Sequence, residues 1–508
     1  MRSRAGILAF GLLLVGGCTV GPDFRTPQTP PATSIVSTTP AATAGAPVPG
    51  GAAQRFTSGG EVRADWWRLF RSTALDALIE HALAESPNVA VASARLREAA
   101  ENFTAETGAR LYPRVDAIGG ANRERISTAA FGNPNPSSNL FTLYNASINV
   151  SYSFDFSGAI WRALEGLEAQ VEYQAFQFEA ARLSLTANLV TAAISEASLR
   201  AQLAANESAL ATQEQLLGIV RQQMSLGGAN RNDLLAQESQ VAQTRILLAP
   251  LRKQLALARH QVALLAGLAP NNPELPAFTL ASLHLPEDLP LSVPSDLVRQ
   301  RPDIRAAESQ WHQASARLGV ATANLYPQLT LSASMGSQAL APGALFGTGS
   351  MVSSLAGSML QPIFRGGELQ ARRRAAQAVF EQAEAQYRQT VLAAFQNVAD
   401  SLQALDQDAH GLQSQARFAQ VADESLQVAA EQYRVGAAGQ LVLLNAQRQA
   451  QSAQVALAQA RAARLADTAA LFQALGGGWW NKADNALASP AAQSSRQATL
   501  LNVFREKQ

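Results

Sequence analysis

The side chains equipped for chemistry in this 508-residue chain are few and scattered. Five histidines, His81, His260, His284, His312 and His410, stand far apart. None belongs to a His-Glu-x-x-His pattern, and each reads as a surface or packing residue. No Gly-x-x-x-x-Gly-Lys-Ser/Thr loop is present to hold a nucleotide's phosphates, and Gly347-Thr348-Gly349-Ser350 suits a hairpin tip better. A single cysteine, Cys18, excludes an intramolecular disulfide and any multi-cysteine metal centre. One nucleophilic thiol near the N-terminus is what remains, with no catalytic, metal or cofactor constellation, so the expectation is a protein that is not an enzyme.

The surroundings of Cys18 say what the thiol is for. Arg2 and Arg4 precede an apolar stretch from Ile7 to Val15 that is too short to span a bilayer as a helix, and Val15-Gly16-Gly17-Cys18 has the small residues of a cleavage site. The pattern resembles a bacterial lipoprotein signal, in which the cysteine sulfur is acylated and the chain is cut just before it. That resemblance implies a signal peptide over residues 1–17 and a covalent lipid, palmitate among its acyl chains, on Cys18. At about 0.8 kcal/mol per buried methylene, several acyl chains anchor a protein firmly. Thr19 follows where an Asp would favour retention at the inner membrane, which implies sorting to the outer one. No other stretch of 18 or more apolar residues exists, so a chain that crosses a membrane must do so as a closed barrel.

Elements able to build such a barrel come in two sets. Ser86-Pro87-Asn88-Val89 and Leu111-Tyr112-Pro113 are echoed by Arg301-Pro302-Asp303-Ile304 and Leu325-Tyr326-Pro327, and Phe156-Ser157-Gly158 by Phe364-Arg365-Gly366. Gly227 and Gly436, Leu234 and Leu443, and Gly267 and Gly476 then keep a constant offset of 209, the mark of an internal duplication. The first repeat is placed at 64–295, with strands over about 111–156 and a turn near Gly227. The second is placed at 296–480, with strands over about 325–364 and a turn near Gly436. Residues 18–63, rich in Pro, Thr, Ala and Gly from 25 onward, read as an extended linker, and 481–508 as a flexible tail.

Within each repeat the hydrophobic period changes. Positions Val391, Phe395, Val398, Leu402, Leu405, Ala409, Leu412, Ala416 and Ala419 form an unbroken apolar 4-3 seam, and the equivalent track from Leu185 to Val220 is apolar at most positions. The proline-free segments 159–226 and 367–435 predict helical rods of about 100 Å at 1.5 Å per residue. Between the helices the period falls to two. Tyr144, Ala146, Ile148, Val150, Tyr152 and Phe154 alternate with Asn145, Ser147, Asn149, Ser151 and Ser153, and Leu329, Leu331, Ala333 and Met335 alternate with Thr330, Ser332 and Ser334. Partner strands are fainter, around Val115–Gly119 and over 351–364. With Asn133-Pro134-Asn135-Pro136 and Ala341-Pro342-Gly343 as turns, each repeat offers one hairpin.

Four strands cannot close a membrane barrel. Two copies would give eight strands with a filled interior and three would give twelve with room for water, which suits the Ser and Asn face. Composition agrees with such walls: 47% of residues are hydrophobic, 6% aromatic and 16% charged. With 40 Lys+Arg against 39 Asp+Glu, no single-sign field points to nucleic acid.

These features together resemble the TolC-like outer-membrane efflux channels, in their lipoprotein NodT branch. The start Cys18-Thr19-Val20-Gly21-Pro22-Asp23-Phe24 is similar to the branch's Cys-x-x-Gly-Pro-Asp-Tyr, with Phe24 in place of Tyr. Trp66-Trp67 with Phe70, Leu75 and Leu78 is similar to its first helix. Further matches are Arg301-Pro302-Asp303-Ile304, Ala307-Glu308, Gly319, Tyr326-Pro327 and Gln361-Pro362-Ile363-Phe364-Arg365-Gly366-Gly367. The fold implied is mainly α with a membrane β-barrel. Three chains supply a twelve-stranded barrel, and long periplasmic helices form a tunnel with an equatorial domain at the Pro-rich 268–295 break. The resemblance also implies a homotrimer in outer-membrane lipid, working with a periplasmic adaptor and an inner-membrane transporter of the proton-driven RND type.

Mechanism is then expected at the tips, where Gly227, Gly228 and Gly436 reverse the chain, a task that favours positive φ. Related channels carry a ring of carboxylates after the second tip. Here Val442 and Asn445 stand at those positions, leaving as candidate gate residues a threefold ring of Asp233 paired between subunits with Arg448, and Asn445 narrowing it without charge; Asp233 equally suits a helix N-terminus. The function implied is a passive efflux duct for small molecules. A type I protein-secretion conduit and a non-conducting envelope coiled coil remain as alternatives.

Overall fold

The computed structural model describes residues 20–26, 41–127, 137–291 and 294–482. The signal sequence, Cys18, residues 27–40, the Asn133-Pro134-Asn135-Pro136 turn and the tail beyond 482 lie outside the described residues. Along the chain run β1 (Arg55–Ser58), α1 (Thr73–Glu85), α2 (Pro87–Leu111), β2 (Arg114–Ser127), β3 (Ser138–Phe154), α3 (Ala159–Ser225) and α4 (Arg231–Ala266). There follow β4 (Asp288–Leu291), α5 (Pro294–Gln300), α6 (Pro302–Ala323), β5 (Gln328–Ala339), β6 (Met351–Leu360), α7 (Glu368–Arg434) and α8 (Gln440–Ala474). The duplication is conformational as well as sequential, since α3 and α7 are each 67 residues long and both ends are displaced by the same offset. Each helix that enters the strands is broken by a proline, at Pro87 and at Pro302. Proline opens a helix well but pushes the residue before it out of the helical region, and Ser86 has ψ 127°.

The chain forms two compact units. One, made of residues 1–27, 95–175 and 306–388, holds an antiparallel sheet in the order β2-β3-β5-β6. Its register pairs Asn149 with both Asp116 and Ser334, and Ile148 with Ala117 and Met335, so the faces of neighbouring strands coincide. Asp116, Asn145, Ser147, Asn149, Ser151, Thr330, Ser332, Ser334 and Ser354 lie on one face. Val115, Ile148, Val150, Leu331, Met335, Leu355 and Met359 lie on the other. In a single chain the apolar face has no cover: Met335 is 60% exposed and Leu355 76%. The strand over 351–360, weakly patterned in sequence, owes its place to pairing with β5.

The other unit, residues 28–94, 176–305 and 389–508, is helical around one large core. The expected seam is its buried stripe on α7, where Val391, Val398, Leu402, Leu405, Ala409, Leu412, Ala416 and Ala419 are all buried. Trp66 is enclosed in the same core, stacked on Phe472 at 5.3 Å. Arg301 of the Arg-Pro-Asp motif donates to the Ala474 carbonyl at 2.8 Å and to Asp303 at 2.6 Å, so the motif fastens the start of α6 to the end of α8.

The linker reading of 18–63 needs correction over its second part. Residues 55–58 form β1, which pairs in parallel with β4 inside the Pro-rich 268–295 segment. Ahead of them Thr43 and Gln54 are buried around Arg464, which is wholly enclosed. Its guanidinium donates to Thr43 Oγ1 at 2.9 Å, to Gln54 Oε1 at 3.3 Å and to the Ala52 carbonyl at 2.7 Å. A composition poor in large apolar residues hid this, because the segment is held by hydrogen bonds to one buried cation. At the other end, Asn481 donates to the Val62 carbonyl and Lys482 pairs with Glu179, so those first two residues of the expected tail are packed.

Candidate functional site

The ends of the two long helices are built alike. At the first turn Gly227 has φ 77°, its N–H bonds the Met224 carbonyl at 3.2 Å, and the Gly228 N–H bonds the Gln223 carbonyl at 2.8 Å. At the second, Gly436 has φ 77°, its N–H bonds Tyr433 at 3.1 Å, and the Ala437 N–H bonds Gln432 at 2.8 Å. Both are Schellman-type ends with one residue in the left-handed region. Gly227 and Gly436 therefore meet the expectation. Gly228 does not, because its φ is not positive and its counterpart in the second turn is Ala437.

Beyond the glycines the two turns differ. Helix α4 opens with a capping box: the Asp233 N–H donates to Asn230 Oδ1 at 3.0 Å and the Asn230 N–H to Asp233 Oδ2 at 3.1 Å. Helix α8 starts after Gly439, which has no side chain to cap it, and Val442 stands where Asp233 stands in the first repeat. Tyr433, near the end of α7, packs with Leu216, Val220 and Leu443. Burial, and after it the Asp233 charge, push its hydroxyl pKa up.

The hairpins differ in their fastening too. Along α3 and α4 run three ion pairs, Glu207 with Arg252 at 2.8 Å, Glu214 with Arg245 at 2.5 Å and Arg221 with Glu238 at 2.9 Å. Each rung lies seven residues from the last on both helices, the repeat of an antiparallel coiled coil with charges flanking its seam. In the second repeat the corresponding pairs are Ala416 with Arg461, Asp423 with Gln454, and Ala430 with Gln447. One rung survives there, a hydrogen bond from Gln454 to Asp423 at 2.6 Å. Buried amides occupy the nearby interior: Gln237 donates to the Gln213 carbonyl at 3.1 Å and Gln440 to Gln237 Oε1 at 2.9 Å, while both polar atoms of Gln447 are buried without a partner.

In the sheet unit, residues 20–24 are docked. The Val20 N–H bonds the Ser157 carbonyl at 3.1 Å, and Asp23 pairs with the buried Arg162 at 2.6 Å. Phe24 stacks on His312 with ring centroids 4.5 Å apart, and His312 Nε2 is 2.9 Å from Glu165. Burial opposes ionisation of Glu165, but hydrogen bonds from His312 and Arg162 outweigh it and hold the carboxyl below its usual range.

Comparison with known proteins gives this arrangement its family. The model of the family described as outer membrane efflux protein matches residues 78–268 and 293–477. The chain belongs to the outer membrane efflux protein family. It is 33% identical over 421 residues to the pyoverdine export outer membrane protein OpmQ of Pseudomonas aeruginosa, covering 82% of this chain and 87% of that one. With nodulation protein T of Rhizobium leguminosarum bv. viciae it shares 27% identity over 497 residues, 96% of this chain and 94% of the other. The structure of the outer-membrane channel OprN superposes with a TM-score of 0.81 at 29% identity, covering 91% of this chain and all of OprN. This is therefore an efflux channel subunit of the outer membrane, with the TolC-like fold and the affinity to the NodT branch that its motifs implied.

Within a single chain of this outer membrane efflux protein, two of the expected gate residues are engaged with other partners. Asp233 is engaged in its capping box, and Arg448 Nε donates to Gln240 Oε1 at 2.7 Å, with no ion pair between Asp233 and Arg448 among the described residues. Asn445 is exposed on α8. Sequence reasoning passed over Tyr433 and the charge ladder, although the seven-residue spacing of Glu207, Glu214 and Arg221 against Glu238, Arg245 and Arg252 is legible in the sequence. Among the described residues no group of three or more His, Cys, Asp or Glu side chains could hold a metal.

Proposed function

We propose that three copies of the chain assemble into a passive exit duct for small molecules, lipid-anchored through Cys18 and working with a periplasmic adaptor and an inner-membrane transporter of the RND type. The observation that carries this reading is the sheet β2-β3-β5-β6. It has two unpaired edges, one apolar uncovered face and one face of Ser, Thr and Asn. In lipid an open edge is excluded, so edges must pair with those of other copies, the apolar face turning outward and the polar face toward water. Three copies give twelve strands and a wet lumen. Similarity to a pyoverdine export protein supports small molecules over polypeptides as cargo. The sequence has no Gly-x-x-x-x-Gly-Lys-Ser/Thr phosphate loop, and the energy is expected to come from the partners.

Val20 follows Cys18 by two residues, so its bond to Ser157 supports a lipid tether close to the end of β3. Gating is assigned to the α7–α8 hairpin. It carries one rung where α3–α4 carries three and lacks a capping box, which supports a first hairpin that acts as frame and a second that moves. Asp233 and Tyr433 then hold the moving turn against the fixed one. Purified full-length protein is expected to run as a trimer and to conduct in planar bilayers, and a deletion strain to accumulate small toxic compounds as its adaptor deletion does. Monomeric, non-conducting protein together with normal accumulation across a broad panel of compounds would defeat the reading.

A further inference from the structure

Between α3, α4 and α8, all in the helical unit, lies a groove of about 590 Å³. Amides from these helices are bonded across it. Gln451 of α8 donates to Asn206 Oδ1 of α3 at 2.7 Å, and its own Oε1 accepts from the Thr244 hydroxyl of α4 at 3.4 Å. Further along, Gln459 of α8 donates to Gln202 Oε1 of α3 at 3.0 Å. Asn206, Gln202 and Thr244 are buried, so these bonds tie the three helices together where they enclose the groove. Leu247, Pro250, Leu251 and Val455 give the same groove an apolar wall.

Arg448 is the one charged side chain among the residues that line it. Its Nε donates to Gln240 Oε1 at 2.7 Å, and its two Nη atoms make no hydrogen bond or ion pair among the described residues. Gln240 is 3% exposed, and its Nε2, on the amide that meets Arg448, likewise donates to no described residue. The arginines of the ladder differ in this respect, since Arg221, Arg245 and Arg252 each face a carboxylate. A guanidinium held at one nitrogen, with its paired outer donors unspent and an amide donor next to it, suits a planar anion.

We propose that this groove binds small organic carboxylates. The two Nη atoms of Arg448 take the carboxylate oxygens side by side, Gln240 Nε2 supplies a further donor, and Leu247, Leu251 and Val455 cover the hydrocarbon body. One guanidinium balances one negative charge. A phosphate dianion would bring charge that no second cation in the lining meets, and an organic cation would face Arg448 with no carboxylate to hold it. The volume lies within the roughly 300–1,000 Å³ typical of sites for drug-sized molecules. Every residue involved belongs to one chain, so the site does not depend on whether the assembled protein conducts.

The test uses full-length protein in lipid nanodiscs and dansylglycine, a fluorescent carboxylate whose emission rises and shifts to the blue in apolar surroundings, with protein-free nanodiscs as the baseline. Dansylglycine should bind saturably, and dansylglycinamide, the same molecule without the charge, about tenfold to a hundredfold more weakly, as loss of hydrogen bonds to a charged group implies. Arg448→Gln should weaken dansylglycine by a similar factor and leave the amide little changed. Ser452, exposed on the lining, marks the groove itself, and Ser452→Phe should block both ligands. Equal affinity for the acid and its amide, dansylglycine affinity retained in either variant, or no signal beyond the baseline would overturn the proposal. If neither variant assembles, the comparison of acid with amide on the wild type decides alone.

Discussion

Gly21 and Gly319 meet so closely that a Cβ built on Gly21 would stand 2.7 Å from the Cα of Gly319. Gly21 has φ 110°, a conformation other residues rarely adopt, and Gly319 has the Arg162 side chain 2.8 Å from where its own Cβ would be. Two glycines far apart in the chain thus make one crossing point, and the ion pair of Arg162 with Asp23 closes over it. Gly21→Ala has no relaxed solution, because backbone opposes backbone, whereas Gly319→Ala meets Cγ and Cδ of the buried Arg162, a side chain that yields only by straining its ion pairs with Asp23 and Glu165. The first substitution is expected to release residues 20–24 to limited proteolysis in folded protein and the second to do so less. Equal resistance of both variants and the wild type would remove the crossing from any role in docking.

The same docking should be sensitive to acid. Glu165 is held below its usual range in the folded chain, so its contribution is present above the unfolded carboxyl value of 4.5 and is lost as pH falls through the lower folded value. His312 is its hydrogen-bond partner and also the platform for Phe24. Glu165→Gln is expected to flatten the acid limb of the melting curve below about pH 4.5 while leaving the alkaline limb unchanged. Phe24→Ala should cost about 0.5–1.5 kcal/mol beyond the area it uncovers, as aromatic pairs do, and should shift the curve without changing its shape.

Charge reversal tests the ladder. Glu214 and Arg245 are 43% and 62% exposed, so their pair is worth about 0.2–1 kcal/mol. Either Glu214→Arg or Arg245→Glu alone is expected to lower stability slightly, and the two together to restore it, giving a coupling energy in a double-mutant cycle. A coupling indistinguishable from zero would mean the rung is decorative.

At the turns the cap and the gate can be separated. Asp233→Asn keeps an acceptor for the Asn230 N–H, so helix α4 should lose well under the roughly 1 kcal/mol of a missing cap. It removes the charge that acts on Tyr433, however, and single-channel recordings should show more frequent opening if that interaction holds the turns together. Tyr433→Phe should have a similar effect on opening with the cap intact. Unchanged conductance and open probability in both variants would return Asp233 to a purely structural role.

Much of this protein was legible in its residues because its elements repeat and have clean periods. The α7 seam from Val391 to Ala419 appeared as an unbroken apolar track, and β3 and β5 as alternating ones, since each buries a single face. The duplication located both turns from two glycines. What stayed hidden depends on distant partners. Arg464 looks like any exposed helix arginine until Thr43, Ala52 and Gln54 close around it, more than 400 residues away in sequence. The capping box of Asn230 and Asp233 was within reach of local rules, but its meaning emerged from the contrast with Gly439 and Val442, which cannot reproduce it. Gly228 misled because a pair of glycines looks like a doubled need for positive φ when one left-handed residue is enough.

Doubling the repeat within one chain has a consequence for symmetry. A ring made from an undivided repeat would need six identical hairpins to present the same twelve strands, and six equal hairpins either all yield or all hold. Because the halves are joined, the ladder of Glu207, Glu214 and Arg221 could be kept in one and dispersed in the other without losing the geometry of the turn. In the proposed ring of three chains, hairpins with three rungs and hairpins with one then alternate, so that every second stave is the better fastened.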